Sequence, residues 1–338
     1  MLVLRVRDVH EALPIAIDRL RWDGVLRSSR NGDVLYYPTP VSTVYERPEE
    51  RVVFWPQRDY NIAFVLYEAL WMLAGRDDVK PLTRYVKTFS EFSDDGETLH
   101  GAYGMRWRRP SWDTFYDQKK VIIDRLKENP EDRRCVLQMW NAEMDLGANT
   151  KDAPCNTAVT FQRGPKGELN MVVFCRSNDI LFGAYFANAF HFGFLLEYMA
   201  SKIGCPIGTY TQVSVNWHGY VKTIKSVEDL HGSMSYNNPY ATGEIIPARL
   251  SGELDPDIHS LLHEADTGTF GRSYRADWAM AAQAVLWAHQ IHRVEQPPEK
   301  FDAALGVLDS SGVHPNTDWI VSMRQWLQRR QTKWLEKS

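Results

Sequence analysis

Apolar and polar residues alternate along residues 157–162, Thr-Ala-Val-Thr-Phe-Gln, and the alternation predicts a half-buried strand. Gly164 to Gly167 predicts a turn, and residues 169–175 predict a second strand, so the two form a hairpin. From about residue 186 to 200 the chain is apolar at most positions and long enough for a buried helix. Upstream, residues 9–26 are predicted helical, with Ala12, Ile15, Ile17 and Leu20 apolar. Residues 28–33, Ser-Ser-Arg-Asn-Gly-Asp, predict a polar loop before a strand at 34–37. A helix is expected over 60–75, ended by Gly75. Further on, residues 277–292 predict a helix broken by Pro297-Pro298. Residues 317–334 predict a terminal helix with Trp319, Ile320, Met323, Trp326 and Leu327 on one face.

This pattern divides the 338 residues into a mixed α/β domain, 1–254, and a helical extension, 255–338, packed on the same domain. A net charge of −4 argues against general nucleic-acid binding. The cysteines at 135, 155, 175 and 205 have neither metal-ligand nor disulfide spacing, so a reducing, cytoplasmic setting and no metal are expected. The N-terminus lacks a secretory h-region. Residues 182–200 are apolar but carry Asn188, His191 and Glu197, which favours a buried helix over a membrane span.

Candidate chemistry gathers at the ends of the predicted hairpin. Pro154-Cys155 opens it, and Arg176-Ser177-Asn178-Asp179 closes its second strand. Such a hairpin brings thiol, guanidinium, hydroxyl and carboxylate to one end of a sheet. A free cysteine most often packs as a small hydrophobe, but a thiolate is also a strong nucleophile toward an electron-poor ring carbon. An arginine holds a phosphate bidentately, and a neighbouring hydroxyl adds a bond. Glu68 lies between Tyr67 and Ala69 in a nearly apolar run, where a carboxylate needs a partner or takes up a proton.

With Gly183 and His218-Gly219-Tyr220, these residues resemble the thymidylate synthase family. Its Glu-Leu-Leu-Trp helix resembles Tyr67-Glu68-Ala69-Leu70-Trp71, and its Tyr-Gly-x-x-Trp-Arg resembles Tyr103 to Arg108. Its Arg-Arg and Trp-Asn pairs resemble Arg133-Arg134 and Trp140-Asn141. The motifs span about residues 20–222 in order. The resemblance implies a mixed-sheet sandwich, a homodimer, a pyrimidine nucleoside monophosphate as substrate and 5,10-methylenetetrahydrofolate as one-carbon donor. It implies Cys155, Glu68 and Tyr103 as catalytic. Arg176, Ser177 and, across the dimer, Arg133 and Arg134 are implied for the phosphate, with Arg27 or Arg30 as a further arginine. His218 and Tyr220 are implied for base and sugar, and Asp179, Phe89 and Gly183 for folate.

Three departures from the family pattern bear on the reaction. Asn156 follows the cysteine where many members have histidine. Phe89 stands where the family has a tryptophan, which leaves a path for water to the reacting carbon. One extra residue lies between Gly183 and the following helix, so either Ala187 or Asn188 takes the place of the base-reading asparagine. An asparagine serves uracil's N3–H and O4, and alanine serves neither. The resemblance therefore implies a transferase, a pyrimidine nucleotide hydroxymethylase, with CMP or dCMP expected ahead of dUMP. The alternatives are a thymidylate synthase methylating dUMP and an inactive nucleotide- or RNA-binding member.

Overall fold

The computed structural model describes residues 1–109, 115–230 and 237–338. Its strands are β1 (Leu2–Val6), β2 (Val25–Ser29), β3 (Gly32–Tyr36), β4 (Val41–Tyr45), β5 (Val136–Gln138), β6 (Asn156–Arg163), β7 (Leu169–Asp179) and β8 (Ile207–Tyr220). They form one mixed sheet in the order β1-β4-β8-β7-β6-β5, with the β2–β3 hairpin joined to the end of β8. β6 and β7 are the antiparallel hairpin that the alternation predicts. β7 and β8 run parallel, and the connection between them carries the Asn188–Ile203 helix.

Residues 28–33 are not a loop. Ser28 and Ser29 finish β2, Gly32 and Asp33 begin β3, and only Arg30 and Asn31 turn between them. Gly32 adopts a φ of 113°, and cross-strand bonds replace solvent: Ser29 Oγ donates to the Gly32 carbonyl at 2.6 Å, and Ser28 Oγ to Asp33 Oδ1 at 2.9 Å. The first helix, Val9–Asp23, stops short of residue 26 because Gly24 is extended, with ψ 138°. Asp8 caps it, accepting from the Glu11 amide at 2.9 Å.

The apolar segment begins earlier than its periodicity indicates. Ile180–Ala187 winds as a π-helix before the α-helix starts at Asn188. A π turn closes i→i+5 bonds and so takes up one residue more than an α turn. This is where the chain carries its extra residue. Arg58 braces the turn, donating from Nη2 to the Leu181 carbonyl at 2.6 Å with its guanidinium 4.2 Å from the Phe186 ring centroid. The segment Ile180–Ile203 is long and apolar enough to cross a membrane, but 83% of its most apolar 18-residue window is buried inside the protein.

The helices after β8 include Leu254–Thr267, Asp277–Val294, Glu299–Asp309 and Asp318–Leu335. Trp319 stacks on Phe194, and Tyr67 Oη donates to Asp266 Oδ1 at 2.5 Å. These helices therefore share a core with the Ile62–Leu73 and Asn188–Ile203 helices. The other face of the sheet is uncovered at Val136, Phe174 and Val215, which are large, apolar and exposed.

Candidate active site

A β-bulge sets the site. The β6–β7 register slips between Asn156 and Ala158, so Thr157 is the extra residue immediately after Cys155 and Asn156. Bulges bend a strand and re-aim its side chains. The Arg176 amide donates to the Cys155 carbonyl at 2.9 Å, which locks thiol and guanidinium side by side across the two strands. The parallel register then sets Ser177 beside Asn216 and Asp179 beside His218. Pairing of Tyr36 with His218 and Val34 with Tyr220 brings in the β2–β3 hairpin with Arg27 and Arg30.

An outer cleft of about 1320 Å³ results, lined by Arg27, Arg30, Trp140, Cys155, Arg176, Ser177, Asp179, His218 and Tyr220. Arg176 is held by its own strand ends. Its Nε donates to the Pro154 carbonyl at 2.8 Å and its Nη2 to the Ala153 carbonyl at 3.0 Å, with the guanidinium 5.4 Å from the Trp140 ring. The fork is thereby fixed where an anion can meet it. Burial pushes the Cys155 thiol up; the Arg176 charge pulls it back, Asp152 pushes it up, and Arg30 pulls it down.

Behind Cys155 lies an inner chamber of about 290 Å³, lined among others by Glu68, Phe89, Tyr103, Asp152, Gly183, Ala187, Asn188 and His191. Glu68 is pushed up to about 8, first by burial and then by the Asp152 charge, so it holds its proton at neutral pH. His191 is pulled down to about 3 by burial and is a neutral imidazole. Its Nε2 must carry hydrogen, since it lies 3.2 Å from the Val65 carbonyl, an acceptor only; Glu68 Oε2 is 3.3 Å away.

A ladder of amides crosses the chamber. Asn156 Nδ2 donates to Tyr103 Oη at 2.9 Å and to Asn188 Oδ1 at 3.0 Å. Asn188 Nδ2 donates to Asn178 Oδ1 at 3.0 Å, and Asn178 Nδ2 to Ser214 Oγ at 2.9 Å. The π turn thus sets the carboxamide of Asn188 on this ladder, and Ala187 remains a wall residue. One lone pair and one N–H of Asn188 are left for a ligand. Gly183 is a glycine for a steric reason: a Cβ there would lie 2.4 Å from Asn178 Oδ1 and 3.1 Å from Asn188 Nδ2. Burial holds Tyr103 protonated, well above its usual range, and neither bond from Asn156 uses that proton.

Asp179 and Phe182 line both cavities. The carboxylate of Asp179 accepts from the Leu181 and Phe182 amides at 2.7 and 2.6 Å, which caps the π turn. Arg133 and Arg134 line neither cavity. Both are exposed, and Arg134 Nε is bonded to Asp132 Oδ1 at 3.2 Å. Sequence reasoning assigned no chemistry to Asp152 or His191. Asp152 precedes the Pro-Cys pair closely, and His191 follows Asn188 by three residues, one helical turn, which is the signal that could have found it.

The thymidylate synthase family model matches residues 17–242. The chain belongs to the thymidylate synthase family. A deoxyuridylate hydroxymethyltransferase of Pseudomonas phage M6 is 43% identical over 98% of this chain and 95% of that protein. One of Bacillus phage SP01 is 34% identical over 57% of this chain and 54% of that protein. The thymidylate synthase of T4 phage shares the fold, with a TM-score of 0.54 and 19% identity over 64% of this chain and 79% of that one. The family's enzymes are transferases of one-carbon units, and so is this chain.

Proposed function

We propose that the protein is a deoxyuridylate 5-hydroxymethyltransferase, acting on dUMP rather than on CMP or dCMP. The observation that carries the base is Asn188: a carboxamide on the amide ladder offers one acceptor and one donor, which match uracil's N3–H and O4. The expectation of a cytosine nucleotide rested on Ala187 in that place. The terminal step, water rather than hydride, is supported by the deoxyuridylate hydroxymethyltransferase of phage M6, which is similar over nearly the whole chain.

In this reading Arg176 and Ser177 hold the phosphate, with Arg27 or Arg30 closing over it. His218 and Tyr220 meet the sugar. The Cys155 thiolate adds to C6 of the ring, which makes C5 nucleophilic. Asn188 holds N3 and O4, and Glu68, protonated, supplies or takes up the proton near O4. Asp179, Phe182 and Phe89 fit a pterin, a flat polar ring needing a carboxylate and aromatic walls. 5,10-Methylenetetrahydrofolate, when bound there, supplies a carbon at the oxidation level of formaldehyde. Once that carbon stands on C5 as an exocyclic methylene, water completes the hydroxymethyl group.

The active unit proposed is a homodimer packed through the uncovered sheet face at Val136, Phe174 and Val215, with Arg133 and Arg134 reaching the partner's phosphate. All four cysteines are free, which fits action in a reducing cytoplasm. Incubation with methylenetetrahydrofolate and each of dUMP, UMP, dCMP and CMP, followed by mass spectrometry, tests the reading. The expected outcome is a CH2O addition to dUMP without the absorbance rise of dihydrofolate. A methylated product with stoichiometric dihydrofolate overturns it in favour of a thymidylate synthase. Mixing Arg134→Ala with Cys155→Ala subunits should restore activity to each inactive parent, and no rescue overturns the shared site.

A further inference from the structure

We propose that Asp152 is the general base that takes the proton from the water completing the hydroxymethyl group, an inference that rests on the hydroxymethylase reading above. Asp152 lines both the outer cleft and the inner chamber, with Cys155 at the same junction. Its loop is tied down on both sides. Thr150 Oγ1 donates to Asp94 Oδ2 at 2.6 Å, the Lys151 amide to Asp94 Oδ1 at 3.1 Å, and Lys151 Nζ to the Ser93 carbonyl at 3.0 Å. Ser93 directly follows the turn Lys87–Phe92, which carries Phe89 into the chamber. The carboxylate is therefore fixed relative to the wall that shapes the water's space.

The Gly101 amide donates to Asp152 Oδ2 at 2.9 Å. A Cβ on Gly101 would lie 2.6 Å from the Asp152 carbonyl oxygen, so the glycine permits this approach. The remaining lone pairs of the carboxylate are available to a water.

The other groups around the chamber are committed elsewhere. Cys155 is bonded to C6 at this stage. Glu68 and Tyr103 keep their protons. His191 is too weak a base, and its Nε2–H faces the Val65 carbonyl. Asp179 Oδ1 accepts from the Leu181 and Phe182 amides and Oδ2 from that of Tyr220, and the reading above gives what remains of this carboxylate to the pterin. Burial leaves Asp152 raised as well; the Gly101 amide, His100 and Arg106 draw it part of the way back, and Asp94 pushes it up. The negative charge of Asp152 is in turn the second cause, after burial, that keeps the proton on Glu68. The two carboxyls differ in their surroundings: Glu68 lines the inner chamber alone, whereas Asp152 also lines the outer cleft and accepts from the Gly101 amide, which suits the first to act as acid and the second as base.

The step balances without an added oxidant. The exocyclic methylene is conjugated to C4=O. Water oxygen bonds to the methylene carbon, its proton passes to Asp152, and the electron pair moves to O4 as an enolate. Collapse of the enolate reforms C5=C6 and breaks the C6–Sγ bond. The thiolate leaves, and Asp152 returns its proton to it or to solvent.

By microscopic reversibility the same residues exchange the hydroxyl oxygen of 5-hydroxymethyl-dUMP with water, and no folate is needed. The test follows 18O uptake into 5-hydroxymethyl-dUMP, beside deuterium uptake at C5 of dUMP, which needs C6 addition and proton transfer at C5 but no hydration of a methylene. In Asp152→Asn the amide oxygen still accepts from Gly101, so the fold should hold, checked by thermal melting. Removal of a general base typically slows its step by about 10²–10⁴-fold, so 18O uptake should fall by that factor. C5 exchange should stay within about threefold, since the general-base step is not part of it. Unchanged 18O uptake overturns the proposal, as does an equal fall in both exchanges, which would make Asp152 a support for C6 addition. A wild-type protein that exchanges C5 hydrogen but no 18O, and makes a methylated product, overturns the hydroxymethylase reading instead and takes this role with it.

Discussion

The outer cleft and the inner chamber share Cys155 but treat charge in opposite ways. In the cleft, the guanidinium groups of Arg27, Arg30 and Arg176 stand exposed on the β2–β3 hairpin and on β7. In the chamber, Glu68 is protonated, His191 is neutral and Tyr103 is protonated, all because burial penalises the ionised form. The difference separates binding from chemistry. The cleft attracts and holds an anion, and the chamber handles protons with groups whose affinities burial has shifted. Cys155 lies at the boundary, where burial pushes its thiol up and Arg176 pulls it down.

The boundary group is the one both regions need, so its loss has the largest expected effect. Cys155→Ala should abolish turnover, since the C6 nucleophile is gone and no other thiol lines either cavity. Its melting temperature should stay close to that of the wild type. Measurable turnover in this variant would overturn covalent catalysis.

Next come changes that remove a proton carrier from the chamber. Glu68→Gln should slow turnover by about 10²–10⁴-fold with little change in nucleotide affinity. It also tests the raised proton affinity through stability. Glu68 has a folded value near 8 against 4.5 unfolded. Between these values the folded state binds more protons than the unfolded one, so stability falls as pH rises through this window. The stabilisation that the proton confers is complete below the unfolded value and gone above the folded one. Glutamine does not titrate, so the melting temperature of the wild type minus that of Glu68→Gln should decrease between pH 5 and 8. A flat difference would show that Glu68 is ionised in the folded protein.

Cleft residues should respond differently. Arg176→Ala is expected to raise KM for the nucleotide about 10- to 100-fold, the worth of a charge-assisted bond. The effect should shrink for the nucleoside, which has no phosphate. An equal loss for both would mean that Arg176 acts by bracing Pro154 and Ala153, which it also touches.

How legible these regions were in the chain follows from the same physics. Strand ends can be read from alternation, so β6, β7 and the cleft residues Cys155, Arg176 and Ser177 were found together. Glu68 stood out as a charge in an apolar helix. The π turn did not stand out, because an i→i+5 turn leaves no mark in an apolar run where every position is buried anyway. That is why the sequence left Ala187 and Asn188 open, and why the base was assigned to cytosine. The β2–β3 hairpin was hidden by its polar residues, which bond across strands where sequence reasoning expects solvent. Asp152 lies on a loop with no periodicity, and its place in the chamber depends on contacts with residues 93–101 that local pattern does not encode.

The smallest expected effect probes the chamber's wall. Phe89 packs beside Phe64 and Phe92, with ring centroids 5.6 and 5.8 Å away, and is half-buried at the chamber. A tryptophan there adds volume to a space of about 290 Å³ that must hold the water attacking the methylene. Phe89→Trp should therefore slow hydroxymethylation several-fold while leaving C5 hydrogen exchange intact, since C6 addition takes place at Cys155, on the boundary with the cleft. If the indole turned into the aromatic cluster instead, the cost would appear as overpacking, about 1–3 kcal/mol of stability. A lower melting temperature with unchanged partition would assign Phe89 to the core. A slower hydroxymethylation at constant melting temperature would assign it to the water's path, and so mark the inner chamber as the place where the product is decided.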